Sequence, residues 1–302
     1  MDGKNHRSEA RVSPELAECI TAFRSILGEH VSLINKIIAV TVNHTAVCSF
    51  RREREPVEPV IASALAPMFQ AVGSSSSTLI SLSETAGLHT RDCYSIARSI
   101  IEASINICFI LAEGPSAASK AMRHARQKAY RDLERQSSIG KSVIQLAFSE
   151  KPDPKLIDDL DSELQEFTSA SGREKGWTDL SVDARIAEVG KRLGHSVLNS
   201  LHMARFAVYR HSSEVLHGTL FSALYFLGTT SPSKSHRSFE EFCENIGQQH
   251  MLILLAGVLA LSATVEAFHR KYGFADIYND SRNLIAKLRE IPYLDLGTEA
   301  TA

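Results

Sequence analysis

One tryptophan, five cysteines and a net charge of only -2 are what this sequence has little of, and each scarcity excludes something. With 33 basic residues against 35 acidic ones there is no global basic field, so any contact with nucleic acid has to be local. Cys19, Cys48, Cys93, Cys108 and Cys243 contain no Cys-x-x-Cys pair, and their number is odd. They read as reduced thiols of a cytoplasmic protein, several of them packed as small hydrophobes in apolar helices. HExxH, GxSxG and GxGxxG are all missing. Zinc proteases, the standard serine hydrolases and dinucleotide enzymes are thereby set aside. The 12 histidines are scattered without metal-ligand spacing, so no metal and no cofactor is expected. Gly73 and the serines after it lack the lysine of a phosphate-binding loop. The polar N-terminus has no apolar signal core.

Strands are also missing from the pattern, since no segment alternates for more than a few residues. Helical spacing is present instead. Ser13-Pro14-Glu15 is a helix start, and Leu16, Ile20, Phe23, Leu27, Val31, Ile34 and Ile38 then recur at helical period. Thr90 to Ala112 is apolar nearly all round and stops at Gly114-Pro115. Ser116 to Gly140 reads as one basic helix and Lys155 to Phe167 as one acidic helix, each a solvated face. Trp177 reads as a packing anchor. Ser196 to Leu227 reads as one long helix with a kink at Ser212-Ser213. Met251 to Phe268 has the length of a membrane span but carries Ser262, Thr264 and Glu266, and reads as a buried core helix. The expected fold is all-α, a multi-helix bundle of about seven to ten helices. A tail and long helix (1–55) precede the main bundle (56–295), with the charged, proline-broken Arg51 to Pro59 between them.

Two polar stripes sit inside this apolar sequence. Arg205, Tyr209, Ser213 and His217 recur every four residues, and Arg98, Glu102 and Asn106 do the same. Each set shares a helix face. Arg210 is seven residues from His217, and so shares its face too. An arginine fork neutralises phosphate oxygens, and a histidine moves protons near neutral pH. Together they suffice to cleave RNA, whose 2′-hydroxyl is the nucleophile. The same residues can instead bridge helices through hydrogen bonds. Arg210 has the better phase with His217, Arg205 continues the stripe, and His211 is a rival histidine.

The motifs Arg98-Ser-Ile-Ile-Glu102-Ala-Ser-Ile-Asn106, Trp177 with Leu180-Ser181-Val182, and Tyr209-x-x-x-Ser213-x-x-x-His217-Gly218 resemble, in order and spacing, a bacterial family of helical proteins known as a domain of unknown function. The likeness runs over roughly residues 75 to 265 and implies an all-helical fold. The arginine–histidine spacing is also similar to that of HEPN-type helical ribonucleases of bacterial toxins and antiphage systems. Arg210 and His217 have six residues between them, Arg205 and His211 five. That resemblance implies metal-independent RNA cleavage by a homodimer. Arg210 and His217 would be catalytic, and Arg98, Glu102, Asn106, Arg205, Tyr209 and Ser213 supporting. Two functions are therefore expected as alternatives: a cytoplasmic ribonuclease whose partner is RNA, not DNA or a membrane, or a helical scaffold or sensor whose stripes are structural or hold a small ligand or partner.

Overall fold

Ser13 and Pro14 begin the first helix as their chemistry requires. The Ser13 hydroxyl accepts from the Leu16 amide at 3.4 Å, and the missing proline N–H falls where no helical partner exists. The computed structural model describes residues 12–42, 57–85, 87, 89–147, 150–226, 238–288, 290 and 291. The N-terminal tail, the connector expected at Arg51 to Pro59 for all but its last residues, and nearly all of the loop expected at Ser231 to Ser238 lie outside these. The elements are α1 (Pro14–Val42), α2 (Pro59–Leu82), α3 (Thr90–Glu113), α4 (Pro115–Asp132), β1 (Glu134–Ile139), β2 (Ser142–Ala147), α5 (Leu160–Glu166), α6 (Val182–Leu193), α7 (His195–Leu216), α8 (Leu220–Phe226), α9 (Phe239–Tyr272) and α10 (Ala275–Leu288). The fold is an all-α multi-helix bundle with one small hairpin.

A helix that is apolar on every side has to be enclosed on every side. Helix α9 is enclosed by α1, α3, α7 and α10, with Leu254, Val258, Leu261 and Phe268 among its buried residues. By length and composition α1, α3 and α9 could each cross a membrane, and 83% of the most apolar window of α9 is buried inside the bundle. Helix α3 lies against α9, α2, α6 and α7. Leu16, Phe23, Leu27, Ile34 and Ile37 of α1 are in the same core cluster, so the helix of the 1–55 unit shares its core with the 56–295 bundle.

Three local readings change. The basic helix ends at Asp132, and Glu134 to Ala147 form an antiparallel hairpin turning at Gly140, whose φ of 62° suits glycine. Almost all of the hairpin is exposed on both faces, so no alternating burial marks it in sequence. The acidic segment is α-helical only over Leu160–Glu166, after a single 3-10 turn at Pro154–Leu156. Helix α7 runs through Ser212-Ser213 and stops at Leu216, where His217 caps it and Gly218 turns the chain with φ 61° into α8. The basic and acidic segments prove to be each other's partners. Arg123 holds Glu166 through two bonds of 2.9 and 3.0 Å, and Arg126 holds the buried Glu163 through two more.

Candidate functional site

The two stripes meet. Glycine at 194, with φ 97°, separates α6 from α7 and turns the chain back on itself. Gly190 lets the two helices approach, since a Cβ there would lie 2.9 Å from the Leu198 Cβ. Ser181 caps α6 by accepting from the Ala184 amide at 3.2 Å, and Trp177 packs edge-on to Phe109 with centroids 5.7 Å apart. The result is a seam in which α3, α6 and α7 face one another.

At this seam Arg98 Nε donates to Glu102 Oε1 at 2.8 Å and Arg98 Nη2 donates to the Tyr209 hydroxyl at 3.2 Å. The guanidinium carbons of Arg98 and Arg205 lie 4.4 and 4.8 Å from the Tyr209 ring centroid, within cation–π range. Arg205 Nη1 pairs with Asp183 Oδ1 at 2.5 Å, and Arg185 Nη1 donates to Asn106 Oδ1. The Nε atoms of Arg185 and Arg205 are buried with no hydrogen-bond partner among the described residues. Burial pulls the Arg185 guanidinium below its ordinary value, with Glu102 working the other way. Asp183 and Arg185 were not readable as site residues, because their partners lie on other helices. Their one signal is position, since they flank the buried Ile186, Val189 and Leu193 of α6.

Arg210 and His217 lie elsewhere. Both are exposed, and among the described residues neither side chain makes a hydrogen bond or ion pair. Ser213 is half-buried, with its carbonyl accepting the His217 amide at 3.1 Å. At about 100° per residue, Met203, Phe206, Arg210 and His217 fall within about 60° of one another around α7. Met203 and Phe206 are 52% and 85% exposed, so this stripe is open along its length. His211 points into the protein, stacked on Tyr225 at 4.0 Å and edge-on to Tyr94 at 6.1 Å. Burial, then the nearby Arg210 charge, lowers its pKa. Among the described residues no three His, Cys, Asp or Glu side chains are grouped to hold a metal ion.

Fold and seam together define an all-helical protein in which two arginine-bearing stripes are joined through one tyrosine. The chain belongs to the family of unknown function DUF5677, whose model matches residues 62–236, more than half of its length. No curated protein and no solved structure matches it.

Proposed function

We propose that the chain is a metal-independent ribonuclease of the cytoplasm that acts as a homodimer, an effector of the toxin or antiphage kind. The observation that supports this reading is the open stripe of α7, where Arg210 and His217 stand without ion-pair partners among the described residues, beside exposed Met203 and Phe206. Arg210 can neutralise a phosphate in reaction, and His217 can take the proton of a ribose 2′-hydroxyl. The 2′-oxygen attacks the adjacent phosphorus as the P–O5′ bond breaks, the 5′-oxygen takes a proton from water, His217 returns its proton to solvent, and a 2′,3′-cyclic phosphate remains. DNA lacks that nucleophile and is not a substrate. A second copy packed through Met203 and Phe206 would bring two arginine–histidine pairs to one interface.

The experiment incubates purified protein with total RNA, with and without chelator. Wild type is expected to give cyclic-phosphate ends in both conditions, and Arg210→Ala or His217→Ala none. Identical fragments from wild type and His217→Ala would remove the reading.

The alternative, a scaffold or sensor, is favoured by the seam. Arg98, Tyr209, Arg205 and Asp183 form one chain of contacts across three helices. It predicts that Glu102→Ala lowers the melting temperature by several degrees while no RNA is cut by any form.

A further inference from the structure

We infer that the seam between α3, α6 and α7 is a binding site for a tetrahedral oxyanion of the phosphate type, held by Arg98, Arg185 and Arg205. The proposal is independent of the ribonuclease reading. Tyr209 and Arg210 are consecutive, and so point the seam and the open stripe to different sides of α7.

Charge is the first argument. Three guanidinium groups share two carboxylates. Glu102 is taken by Arg98, and Asp183 by Arg205. Among the described residues Arg185 has one side-chain hydrogen bond, to the neutral Asn106 amide, and a longer-range attraction to the Glu102 that Arg98 already holds. A half-buried cation with no carboxylate hydrogen-bonded to it is costly, and a bound anion offsets that cost. Burial likewise holds the Arg185 guanidinium below its ordinary value.

Donor count is the second. Each guanidinium has five N–H donors in a fixed fork. Arg185 uses one of them in a side-chain bond, and Arg205 uses one for Asp183. Three forks on three helices carry donors enough for three or more acceptor oxygens, which a phosphate has and a carboxylate lacks. Access is the third. Asp183 and Glu102 side chains are 58% and 40% exposed, so the rim of the seam meets solvent. The same rim carboxylates repel a densely charged polyanion and favour one small group.

The test titrates the full chain with inorganic phosphate by calorimetry at constant ionic strength, sodium chloride being the control. One saturable phosphate site per chain is expected, with the dissociation constant raised about tenfold or more in Arg185→Gln, the loss of one charge-assisted contact. Arg205→Lys, which keeps the charge and loses the fork, is also expected to weaken binding. Circular dichroism reports whether each variant is folded. A 2′-O-methyl oligonucleotide, which cannot be cleaved, forms the second arm. Displacement of bound phosphate by it identifies a nucleic-acid phosphate as the source, and no displacement identifies a free phosphate or monoester. No saturable phosphate binding to wild type, or unchanged affinity in folded Arg185→Gln, overturns the proposal. Neither arm reads Arg210 or His217, so its failure is separable from failure of RNA cleavage.

Discussion

Arg98 on α3 and Tyr209 on α7, 111 residues apart, share a hydrogen bond of 3.2 Å and a cation–ring contact of 4.4 Å. Both contacts centre on one aromatic side chain, so two substitutions separate them. Tyr209→Phe keeps the ring and loses the hydroxyl, and is expected to cost about 1–2 kcal/mol. Tyr209→Ala loses both and is expected to cost about 2–4 kcal/mol. Urea denaturation of the two variants measures the difference. Equal losses would mean that the ring contact contributes nothing.

Acid is expected to destabilise the fold in a defined window. His30 and His250 are buried, and burial lowers both from 6.5 to about 4. Their folded-state pKa lies below the unfolded one, so the stabilisation is complete above pH 6.5. It is lost as pH falls toward 4, because only the unfolded chain takes up the protons there. Each histidine accounts for roughly 3 kcal/mol at most, at about 1.4 kcal/mol per unit. Calorimetric melting between pH 7 and 4 should show Tm falling, with a shallower slope in His250→Gln. A flat profile over that range contradicts the burial of both rings.

Close approach of α6 to α7 predicts intolerance at Gly190. An added Cβ would lie 2.9 Å from the Leu198 Cβ and closer still to its Cδ1. Gly190→Ala is expected to lose about 1–3 kcal/mol despite its better helix propensity. Thermal melting of Gly190→Ala beside Gly190→Ala/Leu198→Ala checks the cause, since removing the leucine should recover part of the loss.

The α4–α5 clamp predicts local rather than global failure. Glu163 is buried and holds the half-exposed Arg126 through Oε1 and Oε2. Exposure of the arginine weakens the pair, so Glu163→Ala is expected to cost about 1–3 kcal/mol. Helix α5 touches the bundle through α4, and the loss should therefore fall on residues 154–168. Hydrogen exchange should quicken there and stay slow in α9. Uniform quickening would mean that α5 is integral to the core.

Features set by neighbours in sequence were legible, and features set by distant ones were not. Ser13-Pro14 and Gly114-Pro115 are local and read directly. The meeting of the stripes was not, because Arg98 reaches Tyr209 over 111 positions, while Asp183 reaches Arg205 over 22 and Arg185 reaches Asn106 over 79. The hairpin was missed for another reason. Its strands bury almost nothing, so the alternation that reveals a strand was never selected into Glu134 to Ala147. In α7 the stripe read as one site contains two, because Tyr209 faces the seam while Arg210 and His217 face solvent. Met203 and Phe206, ordinary hydrophobes in sequence, gain meaning only from their exposure.

The placement of α9 governs how this chain can be made. Ser13, at the head of α1, bonds Glu244 in α9 across 231 positions, and the apolar faces of α1, α3 and α7 all close on that late helix. A ribosome releases those three faces well before it releases their cover. The unfinished chain therefore carries exposed apolar stripes through most of its synthesis, and its yield in a cell should depend on chaperone supply. Truncation before residue 239 should give an aggregating product, not a smaller bundle.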